Sequence, residues 1–226
     1  VVLVCTGVLL LGGFLLFYVA EISNSKTLGG MPVGDGVMNA FFHSVTLRTA
    51  GYDSIGAGNL HDSSKILSVI FMFIGASPAS TGGGIKTTTM FLLMMLVYSI
   101  VMNKEEVIAY KHRIPHQLVL KATAIVVISL FVVIFASVLL SIFEQDNPQT
   151  ENYDFVDMLF ESASAFGTVG VSTGMTGSLT LPSKILLMII MFIGRIGPLT
   201  LTIALSRHSS PQKSSVKYPE GRIIIG

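Results

Sequence analysis

The sequence has few charges, a single cysteine and no tryptophan, and these shortages exclude several classes of protein. Only 12% of its 226 residues are charged, about half the usual share of a soluble domain, whereas 51% are apolar. One cysteine cannot form an internal disulfide, which excludes a disulfide scaffold. The net charge of +1 provides no basic surface for binding nucleic acid. The remaining class is an integral protein of the lipid bilayer.

Long uncharged stretches predict the membrane-spanning helices. Residues 1–20 contain no charge and are long enough as a helix to cross a hydrocarbon core of about 30 Å. Residues 122–143 are also uncharged, and residues 185–206 contain one charge, Arg195. The first span is too long for a signal peptide and lacks a basic N-terminal region. Because no Met precedes Val1, we expect Val1 to begin a fragment.

The distribution of lysine and arginine predicts the orientation in the membrane. Residues 103–121 contain four of these basic residues and the tail after residue 206 contains another four, whereas residues 144–183 contain none. The positive-inside rule therefore places both basic segments in the cytoplasm, and it places residues 21–62 and 144–182 outside. We expect a multi-pass protein of the cytoplasmic membrane.

The sequence contains an internal repeat. Lys-Ile-Leu at residues 65–67 recurs at residues 184–186, and Met-Phe-Ile-Gly at residues 72–75 recurs at residues 191–194, both after a shift of 119 positions. The same register holds without a gap from residue 41 to residue 75. A shared pattern of this length indicates two homologous units.

Each unit is predicted to consist of two membrane helices with a short pore helix between them. The first helices cover residues 1–20 and 118–143, and the short apolar stretches cover residues 37–47 and 155–166. As a helix, such a short stretch is only about half as long as a bilayer is thick. Because both of its ends lie on the outer side, it must enter the membrane and return. The predicted division is listed by residue number: units at 1–103 and 118–206, a cytoplasmic basic loop at 104–117, and a cytoplasmic tail at 207–226.

A turn rich in glycine and threonine follows each short stretch. The turns share a Thr-x-Gly pattern, at Thr49, Ala50, Gly51 and at Thr168, Val169, Gly170. The carbonyl groups of such a segment can replace the water around a dehydrated cation, and glycine permits the backbone angles that this requires. The C-terminal end of the preceding half-helix carries partial negative charge, which favours a cation. We therefore predict that the backbone of these six residues binds the ion, with ordinary loops between helices as the alternative.

These motifs resemble the Trk/Ktr/HKT superfamily of potassium transporters, most closely the C-terminal half of the bacterial Ktr membrane subunit. The resemblance is carried by the two turns, by the glycine-rich residues 76–87 and by the ending at residues 218–222. It implies an all-α integral membrane fold in which the two membrane–pore–membrane repeats, the third and fourth of four, form half of a pseudo-fourfold pore with re-entrant pore helices. It implies K⁺ uptake without enzymatic activity and without a cofactor, with Na⁺ as a further candidate ion. It also implies a homodimer of the complete subunit on a cytoplasmic ring of nucleotide-binding regulatory subunits.

The second membrane helix of the first unit is expected to be broken. A continuous helix over residues 63–103 would measure about 60 Å, twice the thickness of a bilayer core. Residues 75–84 contain a proline and four glycines, which oppose helix formation. In the family that this chain resembles, the matching segment is an intramembrane gate loop, so the resemblance implies the same role for residues 76–86. The implied gate residues are Ser77, Gly82, Gly83, Gly84, Lys86 and Arg195.

Two arginines in apolar surroundings are expected to face protein or water, because a charge in lipid is costly. Arg195 matches a family arginine below the filter, so we expect it beside residues 76–86. A donor to helix-end carbonyl groups is the alternative role for Arg195. Arg48 directly precedes the filter threonine in a position that matches the family. We expect it to brace the filter backbone, since a cation cannot coordinate a second cation.

Three other interpretations remain open at this stage. A secondary carrier for sodium or for a small organic cation would need side-chain ligands at the midplane, whereas the turns offer mainly backbone. Ser77, preceded by Gly75 and Ala76, fits the sparse motif of an intramembrane serine protease, but His43 is the only histidine within the membrane segments that could serve as its base. Residues 76–86 could also be a simple kink, with Lys86 extending to the inner interface.

Overall fold

The computed structural model describes residues 1–78, 80–104, 106–109 and 112–197. Within these residues seven α-helices form two units of the same plan: a long helix, a short pore helix and a second helix, which is broken in two in the first unit. The helices of the first unit are α1 (Val2–Glu21), α2 (Val33–Thr46), α3 (Asp62–Phe73) and α4 (Thr87–Val101). Those of the second unit are α5 (His116–Phe143), α6 (Phe155–Gly167) and α7 (Leu181–Ile196). The predicted tail at residues 207–226 lies outside the described residues.

The break expected in the second membrane helix is present. Helix α3 ends at Phe73 and α4 begins at Thr87, and the described residues between them, 74–78 and 80–86, are not helical. One departure from an all-helical chain lies between the two units. There β1 (Ile108–Ala109) pairs antiparallel with β2 (His112–Arg113), within the segment expected to be a basic loop.

Two helices of the described residues, α1 and α5, are long and apolar enough to cross a membrane, and α4 is a shorter apolar helix. The pore helices are shorter still, with 14 residues in α2 and 13 in α6. Each pore helix leads into a turn of the Thr-x-Gly pattern, so both turns occupy the same place in their units.

Local sequence signals explain where the helices of the second unit begin. Asp154 caps α6: its side chain accepts the backbone N–H of Asp157, and Asp157 accepts the backbone N–H of Asp154 in return. This reciprocal capping satisfies two N–H groups that have no partner within the helix. Helix α7 begins after Thr180 and has Pro182 in its first turn, a position where proline removes no helical hydrogen bond.

A glutamate at the end of α1 ties the outer side of the first unit together. Glu21 is fully buried, and its Oε2 accepts hydrogen bonds from Asn24 Nδ2 and Thr27 Oγ1, both at 2.6 Å. Its Oε1 accepts the backbone N–H of His61, at the start of α3, at 3.0 Å. One side chain therefore fixes both ends of the long segment that contains the pore helix.

The second unit repeats this network around Glu144. Its Oε2 accepts a hydrogen bond from Asn147, and its Oε1 accepts the backbone N–H of Thr180 and the hydroxyl of Ser183. Burial raises the pKa of Glu144, but the hydrogen bonds from Ser183, Thr180 and Asn147 outweigh it and bring the pKa down to about 2. The internal repeat therefore extends upstream of residue 41, where the sequence comparison did not detect it.

A buried ion pair joins the two units where α3 packs against α6. Lys65 Nζ lies 2.7 Å from Asp157 Oδ1, and both side chains are almost fully buried. Nearby, the rings of Phe73 and Phe166 stack with their centres 6.0 Å apart. The equivalent lysine of the second unit, Lys184, is half-buried and donates to the carbonyl group of Gly177.

Removing one partner of this pair is expected to destabilise the protein. We expect Lys65→Met to lower the free energy of unfolding by about 3 kcal/mol, because it leaves Asp157 buried without its partner. Adding Asp157→Asn should restore most of the loss. Thermal unfolding in detergent measures the effect, with Lys184→Met as the matched control. Equal losses in Lys65→Met and Lys184→Met would contradict a special contribution from the buried pair.

Candidate functional site

The two Thr-x-Gly turns have the same unusual backbone conformation. Positive φ angles occur at Thr49 (70°) and Gly51 (79°), and again at Thr168 (50°) and Gly170 (92°). A threonine rarely adopts a positive φ, so its presence at both equivalent positions shows that the surrounding structure imposes this conformation. The glycines adopt it without steric cost.

Hydroxyl groups near the ends of the pore helices hold the residues that follow. In the first unit Thr46 Oγ1 donates to the carbonyl oxygen of Tyr52 at 2.6 Å and accepts the N–H of Tyr52 at 2.8 Å. In the second unit Ser164 Oγ donates to the carbonyl oxygen of Val171 at 2.6 Å and accepts the N–H of Gly170 at 3.2 Å. These bonds draw the chain out of the helix and fix the turn.

The two turns are in direct contact with each other. A Cβ atom added to Gly51 would lie 2.5 Å from the carbonyl oxygen of Val169 and 3.6 Å from the Cα atom of Gly170. Neither Gly51 nor Gly170 belongs to a helix. The two units therefore bring their filter candidates to one place, as a shared pathway requires.

Two glycines between α3 and α4 lie directly against the threonines of the two turns. The backbone N–H of Gly83 donates to Thr168 Oγ1 at 2.7 Å. A Cβ atom on Gly82 would lie 2.7 Å from Thr49 Oγ1. Larger residues would not fit at either position, so the glycines allow this segment to approach the turns. We call the described residues of this segment, 74–78 and 80–86, the intramembrane loop.

The intramembrane loop is also held at its two ends. The N–H of Ile85 donates to the carbonyl oxygen of Phe73 at 3.2 Å, and Ile74 forms a parallel bridge with Ile85. Lys86 Nζ donates to the carbonyl oxygen of Gly82 at 2.5 Å. Gly84 has a positive φ of 70°. The loop is therefore a closed and specifically bonded structure rather than a simple bend in a helix.

The two arginines singled out in the sequence both lie near the intramembrane loop. Arg195 is in the last turn of α7 and is close enough to Lys86 for their charges to repel, and the carbonyl oxygen of the preceding Gly194 lies 3.1 Å from a Cβ atom placed on Gly83. Arg48 Nη2 donates to the carbonyl oxygen of Gly75 at 3.5 Å. This bond goes to the loop, and the role of Arg48 in bracing the filter backbone stays a prediction.

The other gate candidate, Ser77, lies in a local turn. Its carbonyl oxygen accepts hydrogen bonds from the N–H and the hydroxyl of Ser80.

The histidine considered as the base of a protease, His43, is buried elsewhere: its Nε2 lies 3.3 Å from Ser68 Oγ and its ring packs edge-on against Phe17. No group of three or more His, Cys, Asp or Glu side chains in the described part of the chain could hold a metal ion.

Two re-entrant hairpins that meet at Thr-x-Gly turns define a membrane protein built from duplicated pore units. The sequence profile of the TrkH family, described as a cation transport protein, matches residues 1–218. The chain belongs to this family. The predicted family and the predicted all-helical membrane fold are thereby confirmed.

Individual relatives agree with this assignment. The chain is 36% identical over 226 residues to "Ktr system potassium uptake protein B" of Bacillus subtilis, covering 99% of this chain and 48% of the relative. It is also 36% identical over 226 residues to "Potassium/sodium uptake protein NtpJ" of Enterococcus hirae, covering 100% of this chain and 49% of the relative. The chain spans about half the length of the curated relatives it matches.

A solved structure shares the fold. The potassium transporter TrkH from Vibrio parahaemolyticus superposes with a TM-score of 0.71 at 19% identity, covering 89% of this chain and 43% of that one. The named relatives are uptake proteins rather than enzymes.

Proposed function

We propose that this chain provides half of a pathway for selective potassium uptake across the cytoplasmic membrane. The ion would be coordinated by backbone carbonyl groups of residues 49–51 and 168–170. The observation that carries this proposal is the contact between the two turns, which share one left-handed backbone conformation. A backbone filter needs such a fixed and repeated geometry, because its oxygen atoms must replace a hydration shell.

The second part of the proposal assigns the gate to the intramembrane loop. Gly83 donates its N–H to Thr168 Oγ1, so the positive end of a peptide group faces the filter threonine. Lys86 adds its positive charge and is bonded to the same loop. In this arrangement the loop opposes the passage of a cation, and it must move before an ion can leave the filter.

Two further units would be needed to complete the pore. Phe160 on α6 is fully buried, whereas its equivalent on α2, Phe41, is 41% exposed. Met72 on α3 is fully buried, whereas its equivalent on α7, Met191, is 45% exposed. Each exposed face therefore corresponds to a face that is covered where the two units meet. A protein of about twice this length, like the relatives, has room for two further units that would cover the exposed faces.

The remaining parts of the proposal concern assembly. The complete subunit would form a homodimer and sit on a cytoplasmic ring of nucleotide-binding regulatory subunits, as the family resemblance implies. The connection at residues 104–117 would be one contact, because Arg113 is largely exposed there and pairs with the side chain of Glu106 at 3.1 Å. We infer no enzymatic reaction and no cofactor besides the transported ion.

Ion uptake by the full-length protein that carries this chain tests the proposal. In cells deficient in potassium uptake, we expect it to support Rb⁺ uptake that excess K⁺ inhibits strongly and excess Na⁺ inhibits weakly. Equal inhibition by Na⁺ would favour a sodium-permeable pathway, consistent with the name of the Enterococcus hirae relative. Inhibition by an organic cation such as choline, with none by K⁺, would favour the carrier instead.

A further inference from the structure

A buried carboxylate on the second pore helix holds the chain that leaves the filter. Glu161 on α6 is only 4% exposed. Its Oε1 accepts hydrogen bonds from Ser172 Oγ at 2.6 Å and from the N–H of Thr173 at 2.9 Å. Its Oε2 accepts a hydrogen bond from Thr176 Oγ1 at 2.7 Å. One carboxylate thus fixes a segment that begins two residues after Gly170.

Glu161 acts together with Ser164, which lies one turn further along the same helix. Ser164 holds Gly170 and Val171, as described above, and Glu161 holds the residues that follow. Residues three apart project from the same face of a helix, so one face of α6 directs the chain from the filter to the outer side. A change at Glu161 would therefore displace Gly170, because the residues between Gly170 and Thr173 are held by hydrogen bonds to Ser164 and Glu161.

The first unit fixes the same segment by a different carboxylate. The position equivalent to Glu161 is Phe42, which cannot accept a hydrogen bond. Instead Asp53, in the turn itself, accepts the N–H groups of Ile55, Gly56 and Ala57 at 2.7–3.1 Å. Both units thus use a carboxylate to hold the chain that follows the filter candidate, although the two carboxylates occupy different positions in the repeat.

We propose that Glu161 is a positioning residue for ion selectivity, which it exerts through the backbone geometry of residues 168–171. This inference rests on the proposed function. The hydrogen-bond donors to Glu161 described above are neutral hydroxyl and N–H groups. These donors therefore do not cancel the charge of a carboxylate beside the chain that leaves the filter. Hydrogen bonds to a charged acceptor are stronger than neutral ones, which suits a residue that must keep carbonyl oxygens in fixed positions.

The test is Glu161→Gln in the full-length protein, measured as the ratio of Rb⁺ uptake to Na⁺ uptake per amount of membrane-inserted protein. Glutamine keeps the shape and one acceptor oxygen but loses the charge and the second acceptor. We expect the ratio to fall by roughly fivefold or more, since a hydrogen bond to a charged group accounts for a factor of this size. Asp53→Asn should lower the ratio in the same direction.

Glu144→Gln is the matched control. Glu144 is an equally buried carboxylate of the same unit, but its hydrogen bonds go to Asn147, Thr180 and Ser183 rather than to the segment after Gly170. We expect this variant to unfold at a lower temperature with an unchanged uptake ratio. A purely structural role for Glu161 would make the two variants alike.

The outcomes separate the two proposals. Absence of Rb⁺ uptake by the unaltered protein would overturn the proposed function before any variant is measured. Normal uptake with an unchanged ratio in Glu161→Gln would overturn the positioning role alone. If Glu161→Gln does not reach the membrane, Thr176→Val is measured instead, because it removes one hydrogen-bond donor to Glu161 Oε2. An unchanged uptake ratio in Thr176→Val would then overturn the inference.

Discussion

The substitution Gly51→Ser is expected to reduce Rb⁺ uptake by the full-length protein at least about tenfold. A Cβ atom at this position would lie 2.5 Å from the carbonyl oxygen of Val169, which is shorter than any normal contact. The φ of 79° adds a cost of about 1–2 kcal/mol for a residue with a side chain. Both effects displace carbonyl groups of the two turns at once. Uptake measured against the amount of membrane-inserted protein shows the change.

Two comparisons make the Gly51→Ser result interpretable. Gly12→Ser in α1 should leave uptake unchanged, because no atom lies within 4 Å of a Cβ at that position. Gly170→Ser should have a smaller steric effect than Gly51→Ser, since its nearest neighbour is Gly51 Cα at 3.6 Å. Normal uptake and normal ion preference in Gly51→Ser would rule out a filter at these turns.

Replacing Lys86 by alanine is expected to increase Rb⁺ uptake severalfold. The change removes the hydrogen bond from Lys86 Nζ to the carbonyl oxygen of Gly82, which in the proposed gate holds the loop closed. It also removes a positive charge that a cation would pass on the proposed pathway, an effect that is strong where water is excluded. The initial rate of uptake, at an external Rb⁺ concentration that saturates the unaltered protein, measures the effect.

The matched control for Lys86 is Lys184→Ala. Lys184 also donates to a backbone carbonyl group, that of Gly177, but it does not contact the intramembrane loop in the described hydrogen bonds. Its replacement should leave uptake unchanged. An uptake rate in Lys86→Ala that equals or falls below that of the unaltered protein, at equal protein levels, would contradict the gate.

Much of the fold follows from the sequence because its strongest signals are local or repeated. Charge-free stretches determine where helices can cross a membrane, and the recurrence of Lys65 as Lys184 aligns the two units. The break between α3 and α4 was predictable from glycine and proline, whose effects on helices do not depend on distant residues. The paired turns were predictable because they occupy equivalent places in the repeat.

The contacts of the candidate site were less predictable because they depend on side chains far apart in the chain. The bond from Gly83 to Thr168 spans 85 positions, and no local pattern links these residues. The hydrogen bond from Arg48 to Gly75 spans 27 positions and likewise has no local signal. Glu161 was missed because its equivalent in the first unit is Phe42. A signal was present, however, in the serines and threonines of residues 172–176, which supply donors for a buried acceptor.

The ion pair of Lys65 and Asp157 has a consequence for biogenesis. The ribosome completes α3 before it reaches α6, so until then the carboxylate that lies near Lys65 is that of Asp62, which is 3.8 Å away and largely exposed. An ion pair with so exposed a partner adds little stability. We therefore expect the first hairpin to reach its full stability only after the second has been synthesised and Asp157 lies beside Lys65.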